Sequence, residues 1–294
     1  MRAIKRIPYI LIAFIGVMLT SCEKDVNLSL PQSKPKLVIN SGVTSDSTWK
    51  VYIGRTVALF DKTSSNEVDD AEVTIKSEGE TIRLQSEGNG IYTSPLKPTI
   101  GTKYTIEAKA AGFATATASC VVPPRPSFGN ISIRTTESSY KKVVEISITI
   151  DDPSGTNDYY IIETRNSSVT LTPPDYRSYW YYYLYTEDIF CENVENNESG
   201  YQLLFKDVSF NGNKRKIVFT LETAVSDKDD VECIVKRCSK DFYEYKRTYI
   251  LYNEYYDSPF TQPIQIHSNV TNGVGIFGAY SSTIHNVSFN QNPI

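Results

Sequence analysis

Apolar and polar residues alternate along most of the chain from residue 36 to residue 123. In one segment Ala71, Val73 and Ile75 alternate with polar residues, and the same two-residue period recurs over residues 101–108. Segments rich in Gly and Asn, such as 87–90, separate these stretches. Short strands with one buried face and regular turns are typical of a sandwich. The pattern therefore predicts an immunoglobulin-like or transthyretin-like β-sandwich over residues 36–123.

Three prolines among residues 123–126 mark a boundary. Proline lacks the backbone N–H and favours an extended connector. A larger β-rich domain is predicted beyond it, over residues 127–294. Within that domain Asn211-Gly212-Asn213 predicts a hairpin turn between strands at 201–205 and 217–222. Closing strands are expected at 264–266 and 276–277.

One helix is predicted in this second domain, at about residues 240–256, with Ser239 as its N-cap. Aromatic residues recur at spacings of three and four, which places them on one helical face. They are Phe242, Tyr245, Tyr249, Tyr252 and Tyr256. We expect this aromatic stripe to pack on a sheet, because buried aromatic rings supply the apolar area that a β-rich domain needs.

The N-terminus combines basic residues at positions 2, 5 and 6 with a largely apolar run over 7–19. These features are typical of a signal peptide, and the run is short for a bilayer span. Leu19-Thr20-Ser21-Cys22 resembles the lipobox of bacterial lipoproteins, in which the cysteine thiol receives the lipid. We therefore predict a signal peptide over 1–21, lipid attachment at Cys22 and a tether over 22–35. An ordinary signal peptide with an incidental cysteine is the alternative.

The net charge of the chain argues against one class of function, nucleic-acid binding. Removal of residues 1–21 takes away three of the 30 basic side chains and none of the 34 acidic ones, which leaves a net charge of −7. Nucleic-acid binding is not expected, since it needs clustered Lys and Arg.

Four further cysteines can be free or paired in an exported protein, and their pairing stays open. They are Cys120, Cys191, Cys233 and Cys238. The last two lie five residues apart, on opposite faces of a predicted strand, and are poor partners for each other.

No catalytic residue, cofactor or metal site is predicted. The two histidines, His267 and His285, are isolated, and no CxxC or GxSxG motif accompanies them. Acidic residues cluster at Asp151, Asp152 and Asp158 and again over 227–230. Both groups lie in turn-like sequence, so we interpret them as solvated loop acids and not as a glycosidase pair. The second group also lacks the EF-hand spacing for calcium.

A tyrosine-rich segment over 176–185 is the strongest candidate for ligand binding. As one strand it places odd-numbered tyrosines on one face and Trp180, Tyr182 and Leu184 on the other. An exposed face would suit stacking on sugar rings or a protein contact. The candidate ligand-binding residues are Tyr179, Trp180, Tyr181, Tyr182 and Tyr183. The alternative is a strand buried on both faces, or an edge packed against the helix.

Several fragments, taken in order, resemble the Domain of Unknown Function 4249 family of Bacteroidota outer-membrane lipoproteins. The fragments are residues 22–28, 70–73, 90–92, 205–207, 210–212, 243–245, 268–270 and 273–280. The resemblance implies a partner of TonB-dependent outer-membrane transporters and carries over no catalytic residue. Glu23 and Asp25 resemble the signal that sends such lipoproteins to the cell exterior, and the periplasmic face is the alternative. We expect an accessory or ligand-capture module for a glycan or nutrient, not an enzyme, with a structural or adhesive surface protein as the alternative.

Overall fold

Strands make up most of the regular structure in the computed structural model. It describes residues 34–57, 65–138, 141–166, 170–172, 176–178, 181–192, 200–221, 230–255 and 262–288. The predicted signal peptide, Cys22, Tyr179, Trp180, Tyr256 and the acids at 227 and 229 lie outside these ranges. Within them the predicted mainly β fold with one α-helix is confirmed.

The strands follow one another through the chain at short intervals. They are β1 (Leu37–Val43), β2 (Trp49–Arg55), β3 (Glu72–Ser77), β4 (Glu80–Arg83), β5 (Gln85–Gly88), β6 (Ile91–Ser94), β7 (Lys103–Lys109), β8 (Ala116–Val121), β9 (Ser127–Ser138), β10 (Lys141–Asp151), β11 (Tyr159–Asn166), β12 (Thr170–Thr172), β13 (Tyr176–Ser178), β14 (Leu184–Tyr185), β15 (Gln202–Lys206), β16 (Lys214–Leu221), β17 (Asp230–Cys238) and β18 (Gly273–Ser288). A short 3-10 helix covers Asp207–Ser209, and α1 covers Lys240–Tyr255.

The long strand β18 connects the two ends of the chain. It pairs in parallel with β1 over residues 273–279 and antiparallel with β17 over residues 280–288. The result is one eight-stranded sheet in the order β15-β11-β17-β18-β1-β2-β6-β5. The predicted sandwich over 36–123 is thus completed by a strand from the C-terminal region. Residues 35–294 form one compact unit, and the domain boundary at the prolines stays a prediction.

Two large hydrophobic cores lie along this shared sheet in the described part of the chain, and a smaller apolar cluster lies under the start of α1. The first is closed by the four-stranded sheet β4-β3-β7-β8, and Trp49 lies within it, with Phe277 stacked at a ring-centroid distance of 6.4 Å. The second is closed by the four-stranded sheet β14-β16-β10-β9. Side chains such as Ile148 of β10 and Phe205 of β15 meet there, fully buried. Each core is filled by the inward half of an alternating pattern.

Two strand predictions in the second region are wrong. The chain does turn at residues 211–213, but β15 pairs with β11 and β16 pairs with β10, so no hairpin forms between them. Both strands carry inward apolar residues, and they face each other across the second core from opposite sheets. Residues 264–266 form no strand. The predicted strand at 276–277 lies near the start of the much longer β18.

Helix α1 begins after Ser239, whose Oγ accepts hydrogen bonds from the N–H groups of Phe242 and Ala279. Its buried residues are Phe242 and Tyr243, in the first turn. The predicted stripe is only partly buried, because Tyr249 and Tyr252 are 42% and 39% exposed. The sheet covers the start of the helix more than its end. No helix among the described residues combines the length and apolarity needed to cross a bilayer.

Candidate functional site

The segment over 181–185 runs between the two sheets that enclose the second core. At its start the N–H of Tyr182 donates to the carbonyl of Thr164 in β11, at 3.0 Å. At its end β14 pairs with β16, with Leu184 opposite Leu221. Backbone hydrogen bonds at both ends therefore hold the segment in one orientation.

Side chains alternate along this segment as predicted. Tyr182 and Leu184 point into the core, with 7% and 0% exposure, whereas Tyr181 and Tyr183 are 43% and 38% exposed. The segment is therefore not buried on both faces. It is also not one continuous strand over 176–185, because β13 ends at Ser178 and β14 begins at Leu184. Of the predicted ligand-binding residues that are described, Tyr181 and Tyr183 are exposed and Tyr182 lies in the core.

A third exposed tyrosine joins them from the neighbouring segment. Leu184 and Gly200 exchange backbone hydrogen bonds of 2.7 and 3.1 Å, which places Tyr201 beside Tyr183. The two rings lie 4.0 Å apart between centroids, and the hydrogen bond that the Tyr201 hydroxyl donates to Tyr183 raises the pKa of Tyr201. Tyr201 is 48% exposed. We call Tyr181, Tyr183 and Tyr201 the tyrosine row.

An open cleft of about 610 Å³ lies next along the chain, on the outer face of β14, β16 and β10. Tyr185 lines it, together with Thr220 and Glu145 from the neighbouring strands, and residues 186–190 form one wall. Ile189 in this wall is 88% exposed. The tyrosine row thus leads through Tyr185 into a concave surface of mixed aromatic and polar character.

Arg215 is held firmly in the cleft. Its Nη2 donates to both carboxylate oxygens of Asp188, at 3.0 and 3.1 Å. Its guanidinium also lies over the ring of Phe190, 4.4 Å from the centroid. A planar cation fixed by a carboxylate and an aromatic ring presents a rigid polar surface at low entropic cost. Because these groups come from the 186–190 loop and β16, their proximity depends on tertiary structure.

The remaining predicted chemical groups are dispersed. His267 Nε2 lies 2.9 Å from Asp241 Oδ1, at the start of α1, and the ring of His285 meets that of Phe128 edge-on. The four cysteines in the described residues are free and buried. Cys233 faces the second core and Cys238 faces α1, on opposite sides of β17 as predicted.

Burial keeps these thiols protonated at neutral pH. It raises the pKa of Cys191, next to the carboxylate of Asp188, to about 12. Burial alone raises the pKa of Cys233 to about 12. Since the thiolate is the reactive form, these cysteines are packing residues in the native protein.

The prediction of solvated loop acids is wrong for two residues. Asp151 is exposed, but Asp152 and Asp158 are only 4% and 6% exposed. The loop between β10 and β11 turns inward, where Asp158 pairs with Arg237 through hydrogen bonds of 2.6 and 2.7 Å. Asp152 accepts a hydrogen bond of 2.5 Å from the Tyr160 hydroxyl. A turn-like sequence predicts where the chain changes direction, but it does not predict which side chains of the turn are buried.

Two solved structures show a weak likeness to this chain. A cytokine receptor complex matches with 8% identity and a TM-score of 0.22, over 87% of this chain and 97% of that one. A protein from Bacteroides uniformis proposed to bind carbohydrate matches with 8% identity and a TM-score of 0.18, over 80% of this chain and 96% of that one. Neither likeness supports a functional argument.

No curated protein matches the sequence. A family model does match, over residues 23–285, which is most of the chain. That range includes the tyrosine row, the cleft and, apart from Val287, both large cores. The chain belongs to the family described as Domain of unknown function (DUF4249).

Proposed function

We propose that this protein is a lipid-anchored, non-enzymatic binding module of the outer membrane that captures a glycan or related nutrient for a TonB-dependent transporter. The observation that carries the proposal is the tyrosine row and its continuation into the cleft. Backbone hydrogen bonds hold the segments that carry its rings, and adjacent exposed aromatic rings are typical of a contact surface. Alternation in the sequence had already placed Tyr181 and Tyr183 of this surface on one face.

Sugar rings fit this chemistry well. Their C–H faces pack on tyrosine rings, and their hydroxyls hydrogen-bond to carboxylates and guanidinium groups. In the cleft Asp188 and Arg215 supply such polar groups beside Tyr185 and Phe190. The aromatic rings provide contact area and the ion pair provides orientation.

The anchor is supported by the sequence around Cys22. A lipid on this residue would hold the folded part at a membrane, since each buried methylene contributes about 0.8 kcal/mol of membrane affinity. Glu23 and Asp25, next to the anchor, favour the outer face of the outer membrane. A module placed there can meet a nutrient before the transporter does.

Ligand binding is tested with the purified full-length protein on a glycan array, followed by calorimetry with the glycans that bind. Tyr181→Ala and Tyr183→Ala should each weaken binding about fivefold, because each removes one stacking ring worth roughly 1 kcal/mol. Tyr249→Ala and Tyr252→Ala are matched controls, since these tyrosines of α1 are similarly exposed and lie outside the row. Absence of any glycan signal, or equal binding by all four variants, contradicts the proposal.

The anchor and the transporter are tested together in the native host. The wild-type protein should label with a fatty-acid probe, fractionate with the outer membrane and co-purify with a transporter barrel in mild detergent. Cys22→Ser should lose the label and leave the membrane fraction. If the labelled protein repeatedly purifies without any barrel, the transporter part of the proposal is wrong and a structural or adhesive role remains. The glycan array then decides separately whether the protein binds a glycan.

A further inference from the structure

We propose that Asp152, Asp158 and Asp207 bind a hard divalent cation, of which calcium is the best fit. A carboxylate oxygen from each residue lies within 4.8 Å of the other two. Asp152 and Asp158 border the loop between β10 and β11, and Asp207 begins the 3-10 helix after β15. All three are buried, at 4%, 6% and 1% exposure. The proposed ion is therefore part of the folded interior.

One oxygen in this cluster has no partner. Asp207 Oδ2 accepts a hydrogen bond of 2.9 Å from the Asn211 side chain, but Oδ1 is buried without any hydrogen bond. A buried carboxylate oxygen without a partner is costly. A cation between the three carboxylates would satisfy it.

The charges of the cluster do not balance. Arg237 pairs with Asp158 through both carboxylate oxygens, whereas no ion pair to Asp152 or Asp207 is found among the described residues. Asp152 is satisfied by neutral donors, namely the Tyr160 hydroxyl and the N–H of Gly212 at 3.0 Å. Two carboxylates are therefore left beside each other in the interior without a cation, and this burial and crowding of negative charge raise the pKa of Asp207. A divalent cation cancels that charge.

The donor set selects the type of ion. All candidate ligands are oxygen atoms, and carboxylates without imidazole or thiolate favour calcium or magnesium over zinc and copper. Calcium tolerates irregular geometry, which suits three carboxylates from two loops. Bound there, the ion would join the 152–158 loop to the turn at 207–212 and stabilise the end of the second core. It lies on other residues than the tyrosine row and does not depend on the glycan proposal.

The test uses the full-length protein in detergent, freed of metal with EDTA and dialysed. Calcium chloride should bind with a stoichiometry of one in calorimetry. At calcium a hundred times above Kd, the Tm should rise by about 5–10 °C relative to EDTA. Asp207→Asn keeps the shape of the side chain but removes its charge, so calcium should no longer bind or raise the Tm.

Asp151→Asn is the matched control. Asp151 is adjacent in sequence, but its exposed carboxylate faces Lys214 outside the cluster. This variant should keep the full calcium response. A second readout is terbium emission excited through Tyr160, which should fall when calcium is added and be weaker in Tyr160→Phe. A wild-type protein with no calcium heat and the same Tm in calcium and EDTA overturns the proposal, as does an Asp207→Asn variant that still responds.

Discussion

Phe242 fixes the start of α1 to the sheet through an unusually close approach. It lies over two glycines that face each other across β1 and β18, Gly42 and Gly278. A Cβ at Gly278 would be 2.7 Å from the Cβ of Phe242. The Phe242 ring also stacks on Tyr280 at 5.0 Å. The absence of two side chains on the strands therefore makes room for one ring from the helix.

Substitutions in α1 should separate its buried residues from its exposed ones. Phe242→Ala should lower the free energy of unfolding by about 3–5 kcal/mol, because it empties a tightly packed site. Tyr249→Ala, in the same helix, should cost less than about 1 kcal/mol, since its ring is 42% exposed. Urea denaturation followed by circular dichroism measures both. Similar losses in the two variants would mean that the whole aromatic stripe is buried.

At the scale of elements, β18 has the largest effect on the fold. Seven of its residues complete the first core and the rest pair with β17 beside the second. Gly275 permits this position, because its φ is 112° and the carbonyl oxygen of Ile39 occupies the space that a Cβ would need. The apolar pair at 276–277 indicated a strand but not its partners. A parallel pairing with β1 joins residues more than 230 positions apart, which no local pattern encodes.

The tyrosine row also arises between elements. Alternation within one segment was enough to place Tyr181 and Tyr183 on an outer face. Tyr201 and the cleft required the pairing of Leu184 with Gly200 and Leu221, from separate parts of the chain. The sequence predicted that Tyr201 lies in a strand paired with residues 217–222, and it did not place Tyr201 beside Tyr183. Neighbouring residues in the sequence indicate which face of a strand a side chain lies on. They do not indicate which strand pairs next to it.

At the scale of the whole molecule, Asp46 joins three distant segments. It lies between β1 and β2, pairs with Arg125 of the proline connector and accepts a hydrogen bond of 2.9 Å from Ser282 of β18. Burial alone would raise the pKa of Asp46, but these hydrogen bonds and the Arg125 charge outweigh it and lower the pKa below the ordinary 3.8. The folded state therefore favours the charged carboxylate.

This lowered pKa predicts a pH-dependent contribution to stability. The contribution is present above pH 3.8 and is lost as the pH falls through the lower folded-state value. At pH 7 Asp46→Asn should cost up to about 1 kcal/mol, a modest amount because the pair is partly exposed. The difference from wild type should shrink towards zero in acid, measured by urea denaturation from pH 7 to pH 3. Asp151→Asn serves as the control, and a difference that stays constant with pH would contradict the assignment.

The sequence by itself determined most of the strands and where the helix lies, although residues 264–266 form no strand and residues 176–185 are not one continuous strand. Alternation records which side of a strand is buried, and spacings of three and four record a helical face, so both are written in neighbouring residues. The family resemblance and the exposed Tyr181 and Tyr183 came from the same local information. Burial of only part of the aromatic stripe showed the limit of this reasoning. The helix itself determines which side chains share a face, but the element that packs against the helix determines which of them are buried.

Only the tertiary structure decided how these elements combine. It brought β18 beside β1, placed β15 and β16 in opposite sheets, and turned Asp152 and Asp158 inward to meet Asp207. The physical reason is the same in each case. Strand pairing and charge burial are settled by contacts between residues far apart in the chain, whose energies depend on the whole assembled core and not on the neighbours in sequence.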